Sequence, residues 1–163
     1  MARGEAQRAI STCGSPTGVD AHVRRARRDD LDGLLGLLSQ LQGQPIRRTE
    51  ALARTYAQML AQPGRAILLA ERAGRPAGTH DLLIVPSLTH GARPWATIEN
   101  VIVDEAHRRH GVGRALIEAA LGLAREADCC KAQLVSHVRR TEAHALYEGT
   151  GFEVPVRGFR RQL

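Results

Sequence analysis

Lysine is nearly missing from this chain: Lys131 is the only one among 163 residues, so arginine carries almost all of the basic charge behind a net +6. The arginines are scattered, and only Tyr56, Trp95, Tyr147, Phe152 and Phe159 are aromatic enough to stack on a base, a pattern that points away from a nucleic-acid surface. A basic balance still suits an anionic small ligand. No apolar run approaches the roughly eighteen residues of a spanning helix. The opening MARGEAQRAISTCGSPTG lacks the apolar stretch of a secretory signal. A cytoplasmic protein without membrane contact is the expectation. Cysteine is scarce too. Cys13 and the adjacent pair Cys129-Cys130 match neither a disulfide framework nor a metal-ligand spacing, so reduced thiols and no metal are expected.

No internal repeat is present, and low complexity is confined to residues 1–20, where Gly, Ser, Thr and Pro predict a mobile tail before one domain over 21–163. A 43% hydrophobic content is enough for a core without staples. His22 to Ala26 reads as a first strand. Asp29 or Asp30 is placed to cap a helix with the apolar stripe Leu31, Leu34, Leu35, Leu38 and Leu41, stopped by Gly43 and Pro45. A second helix spans about Thr49 to Gln62. Two strands, Ala66 to Arg72 and Thr79 to Val85, are joined by Ala73-Gly74-Arg75-Pro76, and Pro86 to Pro94 is loop. The order continues with a strand from Trp95, a helix, a strand over Lys131–Ser136, a helix near Thr141, and an extended tail. Hairpins that give way to crossovers imply an α/β fold with a mixed sheet.

The chain is organised around TIENVIVDEAHRRHGVGRALIEAALGL, residues 97–123. Alternation in a strand puts Thr97, Glu99, Val101 and Val103 on one face, so Glu99 would stand beside apolar neighbours. Leu116, Ile117, Ala120, Leu121 and Ala124 repeat at helical spacing. Between them lies Arg108-Arg109-His110-Gly111-Val112-Gly113-Arg114, cationic side chains and glycines where a helix begins. A helix N-terminus offers unpaired N–H groups and partial positive charge, and glycine admits a phosphate to the backbone. Plain turn chemistry also accounts for two glycines before a helix. The third glycine of a dinucleotide fingerprint is replaced by Leu116, and the Gly-Lys-Ser/Thr of a Walker A loop is absent.

The arrangement Arg108-x-x-Gly111-x-Gly113 after a strand resembles the acetyl-CoA pyrophosphate loop of the GNAT superfamily of N-acetyltransferases. A second stretch, Ala143-His144-Ala145-Leu146-Tyr147 followed by Gly151-Phe152, resembles that family's other hallmark, in which the tyrosine faces the cofactor sulfur and the Gly-Phe pair starts the next strand. The resemblance covers roughly residues 22–163. It implies a mixed sheet flanked by helices, with the strands Thr97–Val103 and Lys131–Ser136 splayed around the pantetheine arm. It also implies acetyl-CoA as acetyl donor, held by Val101, Ile102 and Val103, by Arg108 to Arg114, and by Arg140 and Tyr147. The implied reaction is acetyl transfer to a primary amine of a small molecule or peptide, by direct attack in a ternary complex. A CoA-binding protein that has lost catalysis is the alternative.

Such chemistry needs a base for the amine, hydrogen-bond donors for the thioester oxygen and a proton for the thiolate. The resemblance assigns the oxygen to backbone N–H groups around Val101 to Val103 and the proton to Tyr147. Glu99 is the candidate base, through desolvation beside apolar neighbours. His80, His90 and His137 are placed near substrate-facing segments, and His110 adjoins the phosphates. Two departures matter: Arg140 stands where many members have Asn, and Thr97 where the histone-acetylating branch has its catalytic Glu. The acceptor would lie among Gln40–Thr49 and Pro86–Pro94, which hold few acids, so a small monoamine, amino-acid derivative or peptide terminus ranks above an aminoglycoside. In similar proteins the last strands build a dimer, so a homodimer through Glu153–Leu163 is expected.

Overall fold

The computed structural model describes residues 21–155, 158–159 and 161–162. Five strands form one sheet in sequential order: β1 (His22–Arg25), β2 (Arg65–Arg72), β3 (Arg75–Val85), β4 (Trp95–Val103) and β5 (Ala132–Leu134). The first four are antiparallel, and β4 and β5 are parallel. Helices α1 (Leu31–Gln42) and α2 (Glu50–Ala61) cross from β1 to β2, α3 (Val112–Glu126) links β4 to β5, and α4 (Thr141–Glu148) follows β5. The mixed sheet flanked by helices agrees with the α/β expectation.

Local chemistry accounts for most boundaries. Gly43 ends α1 in the left-handed region, φ 73°, with its N–H donating to the Ser39 carbonyl at 2.9 Å. The Thr49 hydroxyl caps α2 by accepting from the Leu52 N–H at 3.2 Å. Several boundaries differ from the sequence reading, among them β5, which covers Ala132–Leu134 and not Lys131–Ser136 because its pairing with β4 ends at Leu134. The β2–β3 turn is only Ala73-Gly74, both at positive φ, so β3 starts at Arg75 and not Thr79. Pro76 is tolerated inside the strand because the ladder shifts register beside its partner Glu71. At α4 the N-cap is Arg140, and Thr141 is the first helical residue.

Two cores lie on opposite faces of the sheet. On one face, Leu68, Leu82, Ile98 and Val101 meet Val112, Leu116, Ile117 and Ala120 of α3, with Tyr147 of α4 at the edge. On the other, Ile67, Leu69 and Ile102 meet Leu31, Leu34 and Leu35 of α1 and Tyr56 of α2. After α4, Phe152 to Pro155 belong to no strand, so the strand expected to start at Gly151-Phe152 is not formed there. The tail expected over 1–20, and Val156, Arg157, Arg160 and Leu163 of the expected dimer segment, lie outside the described residues.

Candidate functional site

The site is built on β4, and a bulge decides which way its residues turn. The β3–β4 ladder runs from Val85↔Trp95 to Asp81↔Glu99, breaks, and resumes at Thr79↔Ile102. His80 therefore faces both Asn100 and Val101, and Asn100 absorbs the extra length at φ 56°, a region asparagine enters more readily than most residues. Side-chain alternation is reset at that point. Ala96, Ile98 and Val101 belong to the α3 core, Ile102 to the α1–α2 core, and Glu99 pairs with Asp81 on the α1–α2 face. The expectation that Glu99 shares a face with Val101 and Val103 is thus corrected, and Glu99 is exposed, without the apolar enclosure expected to desolvate it.

The backbone beyond the bulge is directional too. The Asp104 N–H donates to the Ala77 carbonyl at 2.9 Å, and Ile102 pairs with Thr79, so both turn toward β3. By alternation Val101 and Val103 turn the opposite way. There β5 pairs only from Ala96↔Ala132 to Ile98↔Leu134, leaving a gap between the two strands. Arginines hold the carbonyls on that side: Arg140 Nη2 donates to Val101 O at 3.0 Å and Arg108 Nε to Val103 O at 3.4 Å. By the same alternation the N–H groups of Val101 and Val103 would turn to that side as well. Ile102, expected beside them, keeps its backbone toward β3 and its side chain in the other core.

Next to Val103, the chain turns into α3. Gly111 is its N-cap at φ 77°, and no side chain caps the first turn, so the amides of Val112, Gly113 and Arg114 have no intrahelical partner. The Val112 side chain is buried in the core, so this residue offers only its N–H. Gly113 brings α3 close to α4: a Cβ there would come within 2.8 Å of Leu146 Cδ2, the end of a flexible side chain. Around the turn, Arg108 lies 3.5 Å from Glu105, exposed Arg109 lies 3.6 Å from Glu142, and the His110 Nδ1–H donates to the Arg108 carbonyl at 2.7 Å. A partial positive terminus ringed by Arg108, Arg109 and Arg114 is chemically suited to a pyrophosphate. Gln40, at the end of α1, fixes the start of this loop, donating to Asp104 Oδ2 at 2.7 Å and accepting from the Glu105 N–H at 3.1 Å.

Tyr147 stands on α4, only 6% exposed, its ring edge-on to Phe152 at 6.2 Å. Burial pushes its phenol up, and the Arg140 charge pulls modestly the other way, so the hydroxyl carries its proton at neutral pH. On the α1–α2 face Asp81 is 4% exposed and held bidentately by Arg65 at 3.0 and 3.1 Å. Burial pushes its carboxyl up against the pull of Arg65, and Glu99 across the ladder adds to the rise. The histidines divide. His80 is 1% exposed and donates Nε2–H to the Leu116 carbonyl of α3 at 3.0 Å, so it is no surface ligand. His137 shapes the turn into α4, accepting from Arg139 N–H at 3.2 Å while its carbonyl accepts from His144. His90 is exposed.

Sequence reasoning missed Asp81, Asn100 and Gln40. Asn100 carried a signal, since with Glu99 it interrupts the apolar β-branched run from Ile98 to Val103, and Asp81 stands at the polar start of the run Leu82 to Val85. Gln40 carried none.

A family model described as the acetyltransferase (GNAT) family matches residues 35–152. A glucosamine 6-phosphate N-acetyltransferase of Trypanosoma brucei brucei is 32% identical over 147 residues, covering 89% of this chain and 97% of the relative. A probable glucosamine 6-phosphate N-acetyltransferase 2 of Oryza sativa subsp. japonica is 30% identical over 142 residues, covering 83% and 84%. Among solved structures, a putative acetyltransferase from Agrobacterium tumefaciens str. C58 superposes with a TM-score of 0.83 at 40% identity, over 87% of this chain and 99% of that one.

Proposed function

The chain belongs to the GNAT family of N-acetyltransferases, and on that premise we propose that it carries the acetyl group of acetyl-CoA to the primary amine of a small molecule or peptide, by direct attack in a ternary complex. One observation supports this reading: β5 parts from β4 after Ile98, and the β4 backbone beyond that point leads through the Arg108–His110 turn to the uncapped start of α3. Acetyl-CoA supplies an activated thioester. The amides from Gly111 to Arg114, with Arg108, Arg109 and His110 around them, hold its pyrophosphate. The Val101 and Val103 N–H groups donate to the oxygen on which charge develops. Tyr147 gives its phenolic proton to the departing thiolate. Glu99, exposed on the face where an acceptor approaches, takes the ammonium proton directly or through a water.

Arg140 has a role of its own in this reading. Its guanidinium ties Val101 to the start of α4, so it orients both an N–H donor and the helix that carries Tyr147. Glucosamine 6-phosphate, named for two relatives, is one amine to test. A homodimer through residues 153–163 belongs to the same proposal, with Val154 and Phe159 exposed in that tail.

The test combines binding and turnover. Acetyl-CoA should raise Tm, since a ligand that binds only the folded state stabilises it by mass action. Gly111→Val should remove most of that rise, because a β-branched residue is strained at φ 77° and screens the amides. Thiol release should appear when amines are added. A full Tm rise in folded Gly111→Val would overturn the placement of the pyrophosphate. A Tm rise without thiol release from any amine would leave a CoA binder that has lost catalysis.

A further inference from the structure

A cavity of about 100 Å³ lies between α1, α2 and the sheet. Leu34, Leu35 and Leu38 of α1, with Leu52 and Met59 of α2, make its helical wall, and Thr79, Asp81 and Asn100 lie at its sheet end, beside the bulge. The polar groups along it are mostly engaged elsewhere. The Tyr56 hydroxyl donates to Arg27 O at 2.7 Å, Thr79 Oγ1 to Leu68 O at 2.7 Å, His80 Nε2–H to Leu116 O at 3.0 Å, and Asp81 accepts from Arg65. What they leave is a hydrocarbon-lined space with the Arg65-paired Asp81 carboxylate at one end; Glu99, across the ladder from Asp81, is exposed beyond it. None of the residues lining it is cationic, and Arg48 and Arg54, carried by the connection and the helix of the same wall, are paired with Asp32 and Glu50 at 2.8 Å.

We propose, resting on the acetyl-transfer reading above, that the acceptor is a primary amine with a short apolar arm. The arm is buried between α1, α2 and the sheet, and the ammonium stays at the sheet end, drawn to the exposed Glu99 that pairs with Asp81 across the ladder. Charge and size both limit the ligand. A phosphate or carboxylate on the arm would enter hydrocarbon at a large desolvation cost, and the nearby Arg65 is already committed to both oxygens of Asp81. An apolar cavity of about 150 Å³ accepts benzene, so this smaller one suits an arm of about three or four carbons. The reaction balances within the chemistry already described: the amine nitrogen bonds to the acetyl carbon, the C–S bond breaks, the ammonium proton leaves to Glu99 or water, and the thiolate receives a proton from Tyr147.

The experiment compares kcat/KM for methylamine, propylamine, butylamine and glucosamine 6-phosphate, read as thiol release from acetyl-CoA. The simple amines have similar basicity, so differences report the arm. Each buried methylene should raise kcat/KM about fourfold, giving on the order of 50-fold from methylamine to butylamine. Leu38→Phe, which fills the cavity, should cut butylamine turnover about tenfold or more and methylamine far less. Leu38→Ala serves where the larger residue impairs folding, and should move the optimum to longer amines. A flat amine series, or glucosamine 6-phosphate surpassing butylamine, overturns the proposal while leaving acetyl transfer intact. Should no amine release thiol, the acetyl-transfer reading fails, and the readout becomes the Tm shift by the amines on acetyl-CoA-loaded protein. A larger shift by butylammonium than by methylammonium, abolished in Leu38→Phe, supports the cavity as its site, and equal shifts overturn it.

Discussion

The two sides of β4 make opposite use of the same backbone. Toward β3 it is paired from Trp95 to Val103 with a single bulge, and the neighbouring strands bury Leu68, Leu69, Ala70 and Ala77 completely. Toward β5 pairing stops at Ile98, and past it Val135 and Val138 are 72% and 80% exposed. A closed ladder satisfies its donors internally and so has nothing to offer a ligand. An interrupted ladder gives Val101 and Val103 no strand partner on the β5 side, since pairing ends at Ile98. The zipped side supplies rigidity, and the open side can supply chemistry because it is held in place by the other.

Tyr147→Phe should break the comparison on the open side most strongly. The ring, its edge contact with Phe152 and its place in the core remain, and only the proton donor is lost. Turnover should fall by about 10- to 1000-fold, the usual contribution of a positioned acid, with the acetyl-CoA Tm shift nearly unchanged. Single-turnover thiol release measures the chemical step directly. Parent-like release in the variant would mean that solvent supplies the proton and that Tyr147 is structural.

The zipped side should answer to pH instead. Burial holds His80 down to about 4, whereas in the unfolded chain it titrates near 6.5. A depressed folded pKa contributes stability that is full above the unfolded value and lost as pH falls from about 6.5 to 4, here by about 3 kcal/mol. Asp81 opposes this: its folded pKa is raised, so protonation on acidification favours the folded state. Asp30 is depressed by its hydrogen bond with Arg24, and its loss comes at still lower pH, below the ordinary carboxylate value. Urea melts at pH 7, 5.5 and 4 should show declining stability in the parent and a much flatter profile in His80→Gln, whose amide can still donate to Leu116 O. Parallel profiles would mean that His80 is not the titrating group.

The same division marks what the sequence could tell. Gly43, Thr49, Gly111 and the helical spacing of Leu116, Ile117 and Ala120 act within a few residues, so α1, α2, α3 and the phosphate-suited turn were legible. The bulge at Asn100 is an agreement between two strands, and without it alternation assigned Glu99 to the wrong neighbours. Val135 and Ser136 looked like strand because β-branched and small residues follow one another there, yet β5 ends at Leu134, where β4 diverges. Arg140 drew attention as a departure from the family pattern, but its bond to the Val101 carbonyl spans 39 residues and could not be read locally. Arg75 and Pro76 read as part of the turn, and only pairing with β2 explains why the strand runs through them.

The smallest expected effect tests how the open side keeps its spacing. Gly113 of α3 faces Leu146 of α4, one residue before Tyr147, and a Cβ at Gly113 would stand 2.8 Å from Leu146 Cδ2 and 3.5 Å from Val103 Cγ2. The nearer atom is the end of a flexible side chain, so Leu146 can yield. Alanine also improves helix propensity by up to about 1 kcal/mol, which offsets part of the overpacking. Stability of Gly113→Ala should therefore change by less than about 1 kcal/mol. Turnover should still fall several-fold, because the displaced α4 carries the Tyr147 hydroxyl with it, and small misplacements of a reacting group are costly. Adding Leu146→Val, which withdraws the clashing methyl, should restore part of the lost rate, and the double-mutant cycle gives the coupling between the helices. Additive rate losses would show that α3 and α4 are positioned independently, and that the open side is braced by Arg140 alone.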